Sequence, residues 1–398
     1  MNKLTPEIIS YIQDHIDDDL PKLILKKGAN TQNIDYSFAF QQIGARQKAK
    51  NKLPEWYANF HLVFPSPLSV EQSSSQQTAQ YKTTLLKGDH LIDLSAGFGV
   101  DAFYLSSNFN QTTLVDTNPE LCDILLHNAS ALHLDSIKVI NANAENYLEQ
   151  IDLNSTQKIT FYIDPARRGK QGEKLIDLGD CEPNILNIKD QLLTLGEKVC
   201  IKLSPMIDLK QLLNQLSNVV EIHVVSVHNE CKEILAILER NPKSSELKYV
   251  AVNLKKGGID SFEFINQEEK ESIPTIAEKV ENYLYEPNSA IMKSGCFKLI
   301  GERYNLSKIA LNSHLYTSNQ HVPEFPGRIF KVEQVLSFQK DELKKYFRKG
   351  EAYNLAIRNF PMDTENLKKQ LRIKDGGDKY LFATTMEQKH ILIICTKT

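Results

Sequence analysis

No two cysteines in the 398 residues stand at Cys-x-x-Cys spacing: Cys122, Cys181, Cys200, Cys231, Cys296 and Cys395 are scattered, several inside apolar runs. A zinc cluster or a disulfide frame is therefore not expected, and the pattern suits a reduced, cytoplasmic protein. Apolar runs of the roughly 20 residues that cross a bilayer are missing too. The first twenty residues, MNKLTPEIISYIQDHIDDDL, carry acids where a secretion signal would carry an apolar stretch. No charge excess exists either. Net charge is −3, so any surface for a polyanion must be a local patch. His223 and His228 have no metal-ligand spacing and read as structural. These absences leave a globular protein with no membrane and no metal expected, and its length fits two or three domains.

What is present begins with helical periodicity. Ile8, Ile9, Ile12, Ile16 and Leu20 predict a helix over 5–27. Residues 41–52 carry Arg46, Lys48, Lys50 and Lys52 without an acid, and a polar helix is expected over 71–86. From Leu91 short apolar runs alternate with amphipathic stretches. Strands are expected at 91–94, 112–116, 137–142, 159–164, 198–203 and 221–227, with helices between them. That alternation predicts an α/β fold with a doubly wound, mostly parallel sheet. The last two runs, EIHVVSV and EILAILER, are joined by HNECK, too short for a parallel crossover, so they form an antiparallel hairpin. Residues 242–330 are less regular, with a turn expected at Glu286-Pro287-Asn288. Beyond them a small α/β unit is expected, with strands at 352–360, 379–385 and 390–396 and a helix near 364–371. From Lys340 onward 13 Lys/Arg stand against 8 Asp/Glu.

The first strand run ends at Asp93 and leads into Gly97-Phe98-Gly99, after which a helix begins. Glycines let a ligand approach the backbone, and a helix N-terminus offers free N–H groups. Asp116, 23 residues after Asp93, ends the next strand, where an acid can bond both hydroxyls of a ribose. The spacing alone leaves a dinucleotide open, because Ala102 stands where that fingerprint takes glycine or alanine. Three features tilt the reading: the acid before the glycines, which suits an ammonium better than a pyrophosphate; the antiparallel final hairpin; and Asp164-Pro165 after the fourth strand.

Together these resemble the class I S-adenosylmethionine-dependent methyltransferases over about residues 70–240. The resemblance implies a seven-stranded Rossmann-like sheet with an antiparallel last strand, and S-adenosylmethionine as cofactor. It assigns the cofactor to Asp93, Ser95, Gly97, Gly99, Asp116, Asn143 and Ala144, although the family usually has Asp where this chain has Asn143. Asp164-Pro165-Ala166-Arg167 resembles the (D/N)-P-P-x signature of base-modifying enzymes, with Ala166 in place of the second proline. Asp164, Pro165 and Arg167 are the expected catalytic residues: the carboxylate would position an acceptor nitrogen, and Arg167 would hold a phosphate or stack on a base. Methyl transfer to a pyrimidine C5 would need a cysteine nucleophile; Cys231 is the one candidate near the sheet end, and a structural role is preferred for it. Lys202 and Ser204-Pro205 are expected to line the pocket.

Residues 286–316, followed by FPGRIF and the basic end, are similar to bacterial methyltransferases with a THUMP-like C-terminal domain. The implied boundaries are an N-terminal helical region at 1–80, the methyltransferase domain at 81–274, a ferredoxin-like segment at 275–325 and a THUMP-like domain at 326–398. RNA is the implied partner, supported by Lys344, Lys345, Arg348 and Lys349 around Tyr346 and Phe347, and by Lys368, Lys369, Arg372 and Lys374. Three alternatives stay open: a methyltransferase acting on protein or a small molecule, an RNA-binding protein with a degenerate core, and, more distantly, a nicotinamide oxidoreductase.

Overall fold

The computed structural model describes residues 4–25, 34–152, 157–167, 178–242, 244 and 246–398, with the side chain of Arg167 outside that set. The chain divides into two units, 1–222 with 233–245, and 223–232 with 246–398.

The first unit opens with helix α1 (Pro6–His15), capped by Thr5, whose Oγ1 accepts from the Ile8 N–H. The single helix expected over 5–27 does not form. Three consecutive aspartates interrupt it, and Asp19 restarts it by accepting from the Lys22 N–H at 3.1 Å, giving α2 (Leu20–Leu25). Helices α3 (Tyr36–Ala49), α4 (Pro54–Ala58), α5 (Pro67–Gln72) and α6 (Gln76–Thr83) follow. The polar helix expected over 71–86 is thus two helices. Ser75 caps the second by accepting from the Thr78 N–H at 3.2 Å, which leaves Ser73 and Ser74 in a non-helical elbow.

The strands are β1 (Gly88–Asp93), β2 (Phe109–Asp116), β3 (Ile137–Asn141), β4 (Ile159–Ile163), β5 (Lys198–Leu203), β6 (Val219–Val227) and β7 (Glu230–Glu239). Their order is β6-β7-β5-β4-β1-β2-β3. Strands β3, β2, β1, β4 and β5 are parallel, and β7 runs antiparallel to β5. Between them lie α7 (Val100–Leu105), α8 (Pro119–Ala131), α9 (Ala144–Leu148), α10 (Ile185–Leu195) and α11 (Leu209–Gln215). Strand β4 is buried along its whole length, as a central strand covered on both faces must be. The hairpin turns at His228-Asn229, both left-handed at φ 50° and 67°, the conformation a two-residue hairpin turn requires.

The α1–α6 region does not have a core of its own. Ile8, Ile12, Ile43 and Phe64 belong to one buried cluster with Phe98, Phe103 and Leu125. The single tryptophan, Trp56, makes T-shaped contacts with Phe98 and Phe103, ring centroids 4.9 and 5.5 Å apart. Asn128 of α8 holds the Val63 backbone by both its N–H and its carbonyl, at 2.8 and 2.9 Å.

In the second unit β8 (Lys248–Lys255) and β9 (Gly258–Ile265) pair antiparallel, and β8 follows β6 in the strand order. Among the described residues the sheet therefore has nine strands where seven are expected, and both extra strands belong to this unit. A second sheet contains β10 (Tyr283–Pro287), β11 (Ser307–Lys308), β12 (Tyr316–Ser318), β13 (Gly327–Ser337), β14 (Ala352–Ile357), β15 (Lys374–Met386) and β16 (Lys389–Lys397), in the order β11-β12-β10-β13-β16-β15-β14. The turn expected at Glu286-Pro287-Asn288 is instead a strand end. Asn288 caps the next helix by accepting from the Ile291 N–H.

Candidate active site

The carboxyl ends of β1, β2, β3, β4 and β5 open on a cleft of about 720 Å³. Ligands in open α/β sheets bind at this edge. Asp93, Ser95, Gly97, Gly99, Asp116, Asn143, Ala144 and Asp164 all line it. So the residues singled out in the sequence converge, apart from Pro165 beside Asp164, and Arg167, whose side chain lies outside the described residues. Its backbone forms a two-residue ribbon, Ala166 opposite Glu182 and Arg167 opposite Cys181. Arg168 is not among the described residues.

Hydrogen bonds join the separate motifs. The Gly97 N–H donates to Asp116 Oδ2 at 2.8 Å, and the Asn118 N–H donates to Oδ1 at 2.8 Å. Ser95 donates its N–H to Asp93 Oδ1 at 2.9 Å, while its Oγ accepts from the Asp164 N–H at 2.6 Å. Ser95 thereby fixes the end of β4 to the glycine turn. Gly99 has φ 80°, and a Cβ there would stand 2.4 Å from Leu125 Cδ2. Only glycine meets both demands. Asn143 caps α9, its Oδ1 accepting from the Asn146 N–H at 2.7 Å. Ala144 follows as the first residue of α9 and lines the cleft.

Behind the cleft lies an ionic network with little sequence signal. Lys82 of α6 is fully buried, its Nζ 3.0 Å from Asp101 Oδ1 and 2.7 Å from Glu233 Oε1. Asp101 Oδ2 also accepts from Ser74 Oγ at 2.6 Å and from the Tyr162 hydroxyl at 2.7 Å. Lys202 of β5 reaches Asp164 Oδ2 at 2.5 Å, Ser74 Oγ at 3.0 Å and Asp101 Oδ2 at 3.6 Å. Lys202 was legible as a cleft residue because it ends a strand. Lys82 and Glu233 gave no signal, because the pair is 151 positions apart.

The cleft is strongly acidic. Asp93, Asp101, Asp116, Glu145, Asp164 and Glu182 line it, and among the described residues Lys202 is its one cation. Burial pushes the Asp93 carboxyl up to about 8; the Ser95 N–H opposes this, and the Asp101, Asp164 and Asp116 carboxylates add to it. Asp101 goes the other way: burial would raise it, but Lys82 and Lys202 hold it well below the usual carboxylate range. Burial also works against the Lys202 charge, yet Asp164 and Asp101 hold its ammonium well above the ordinary lysine range. No cysteine lines the cleft among the described residues. Cys200 lies buried in β5, its thiol driven up by desolvation.

A solved structure of a candidate methyltransferase from Porphyromonas gingivalis W83 is 31% identical, covers 98% of each chain and superposes with a TM-score of 0.86. A family described as a ferredoxin-like domain matches residues 283–326, and one described as THUMP domain-like matches 327–397. The chain belongs to the class I methyltransferases with a THUMP-like C-terminal domain. Curated relatives of this methyltransferase include the tRNA/tmRNA (uracil-C(5))-methyltransferases of Shewanella frigidimarina, 29% identical over 32% of the chain and 42% of the relative, and of Escherichia coli, 27% identical over 37% and 46%. The chain thus spans less than half the length of the curated relatives it matches.

The basic runs of the methyltransferase fare differently. The stretch 41–52 is not an open cationic face. Arg46 is fully buried and donates to the carbonyls of Tyr57, Asn59 and Leu62; burial lowers its pKa to about 10. Lys50 pairs with Asp17 at 2.7 Å, and Lys48 lies 3.6 Å from Glu71. In the THUMP-like domain Phe347 is core, with Leu343 and Leu371, and cannot stack on a base. Lys368 is paired with Asp375 and Glu365. The exposed cations around them are drawn together, because the Gly350 N–H donates to the Arg372 carbonyl at 2.9 Å and the Lys374 N–H to the Glu351 carbonyl at 2.8 Å. Arg348, Lys349, Arg372 and Lys374 therefore share one exposed edge. No helix among the described residues is long and apolar enough to cross a membrane, and no cluster of metal-ligating side chains occurs among them.

Proposed function

We propose that the chain transfers a methyl group from S-adenosylmethionine to a nitrogen of an RNA base. The observation that carries this is the acidity of the cleft: six acidic side chains, the protonated Asp93 among them, surround a glycine turn, with a single ammonium beside Asp164. Such a surface repels a pyrophosphate and favours a ligand bearing an ammonium and a sulfonium. This argues against a nicotinamide dinucleotide. When bound, S-adenosylmethionine supplies an already activated methyl group.

Asp93 and the turn Ser95–Gly99 would hold the methionine end, Asp116 the ribose, and the Asn143-Ala144 corner the adenine. Asp116 keeps lone pairs for hydroxyls while its oxygens accept backbone N–H groups, which pre-sets its orientation. Asp164 faces the methyl end, where it can accept a hydrogen bond from an acceptor amine and align its lone pair. The absence of a cleft cysteine among the described residues favours nitrogen over pyrimidine C5, despite the names of the curated relatives. RNA is supported by those names, by the THUMP-like domain and by its exposed basic edge, since clustered cations bind phosphates.

Two measurements test the reading. Calorimetry should show S-adenosylmethionine binding that NAD does not displace. Asp164→Ala should keep that binding within about threefold and lose methyl transfer to unmodified RNA by about a hundredfold or more, the usual scale for a positioned acid–base group. Unchanged transfer by the variant would remove Asp164 from the chemistry.

A further inference from the structure

The acceptor end of the cleft presents a fixed order of hydrogen-bonding groups. Asp164 has its side chain 39% exposed toward the cleft, and its Oδ1 takes no donor from any described residue. Oδ2 lies beside Lys202 Nζ at 2.5 Å. The Lys202 side chain is only 11% exposed, and its ammonium is held by Ser74 Oγ and the Asp101 carboxylate. Asp101 in turn is locked by Lys82, Ser74 and Tyr162, so Lys202 cannot swing away without breaking a buried charge pair. The Ser95 Oγ bond to the Asp164 N–H fixes the carboxylate's backbone. Along this rim the groups read acceptor, acceptor, donor.

Each base presents a different order on its Watson–Crick edge. Guanine offers donor, donor, acceptor: the 2-amino group, N1–H and O6. Adenine offers the 6-amino donor beside the N1 lone pair. Cytosine offers the 4-amino donor beside the N3 and O2 acceptors. Adenine and cytosine would each set a lone pair against a carboxylate oxygen. Uracil has one donor between two acceptors. Only guanine satisfies all three protein groups at once.

We infer that the base methylated by this enzyme is guanine, with its 2-amino nitrogen at Asp164 Oδ1, N1–H at Oδ2 and O6 at Lys202. This rests on the reading of the cleft as an RNA methyltransferase site and names the substrate within it. The 2-amino nitrogen forms a bond to the methyl carbon as the carbon–sulfur bond of the sulfonium breaks. The cofactor leaves as the neutral thioether, and the proton displaced from nitrogen passes to Asp164 and on to water. Lys202 is a specificity residue here, because it reads O6 while keeping Asp164 in line.

The test uses the full chain, labelled S-adenosylmethionine and three pools of unmodified transfer and ribosomal RNA transcripts. One pool carries guanosine, one inosine in its place, and one 7-deazaguanosine. Inosine lacks the 2-amino group; 7-deazaguanosine alters the purine but keeps the whole edge. The expected result is transfer to the guanosine and 7-deazaguanosine pools, none above background to the inosine pool, and N2-methylguanosine on nucleoside mass spectrometry. Lys202→Met should lower transfer to the guanosine pool about 10- to 100-fold at saturating S-adenosylmethionine, the scale of a charged hydrogen bond. Transfer to inosine RNA, or any other methylated nucleoside as the product, overturns the guanine assignment and leaves RNA methylation standing. Full transfer by Lys202→Met overturns the reading of O6. Binding of S-adenosylmethionine with no transfer to any pool overturns RNA as substrate, and guanine with it.

Discussion

The buried Asp93 should make cofactor binding a proton-releasing event. In the free protein its carboxyl sits near 8, first because burial disfavours its charge and then because three aspartates surround it. At pH 7 it is therefore about nine-tenths protonated. A cationic ligand needs the carboxylate, so binding expels the proton. The sign follows from linkage: the protonated form predominates below 8, and affinity must rise as pH rises toward that value. Between pH 6 and pH 7 the dissociation constant for S-adenosylmethionine should fall about tenfold, and about 0.9 proton should leave per cofactor bound at pH 7. Calorimetry at pH 7 in two buffers of different ionisation enthalpy reads the proton count directly. Asp93→Asn, similar in shape and unable to ionise, should bind more weakly at pH 8 by about 1.5–3 kcal/mol and with no pH dependence from this group. A flat affinity between pH 6 and 7, with no proton released by the parent, would refute the assignment of Asp93 to the cation.

Two further outcomes follow from the packing. Lys82→Met leaves Asp101 and Glu233 buried without their shared cation, and should cost about 3–5 kcal/mol of stability, read as a lower midpoint in urea. Gly99→Ala meets both the left-handed φ and the 2.4 Å approach to Leu125; it should destabilise by about 1–3 kcal/mol and weaken cofactor binding, with unfolding temperature and calorimetry as the measures.

Local chemistry was legible wherever one segment carried it. Strand β5 spans the expected 198–203, and the helix at Thr364–Leu371 falls on the expected 364–371, because apolar period and capping residues act within a few positions. The cleft residues were legible for the same reason: each stands at the carboxyl end of a strand or in the few positions after it. What failed depended on partners elsewhere. The basic run at 41–52 lacks acids of its own, but the fold brings Asp17 and Glu71 to it. The helices at 5–27 and 71–86 broke where Asp19 and Ser75 offered side-chain caps to the backbone, a competition that hydrophobic period does not register. The ninth strand, too, comes from residues 258–265, a stretch with few clear alternations.

The elbow at Ser73-Ser74 and the lysine of α6 bear on how this enzyme can be cut and recombined. Ser74 and Lys82 supply bonds to Asp101, the residue that keeps Lys202 beside Asp164. The Rossmann-like sheet is thus not a portable cartridge. A fragment that begins at β1 loses Lys82, the cation between Asp101 and Glu233, and a chimera that grafts this sheet onto another protein must carry residues 66–83 with it or leave Lys202 alone to balance the buried acids. Among the described residues, 246–398 contribute no group to this network, so lineages of this enzyme should exchange their C-terminal modules more freely than their N-terminal helices.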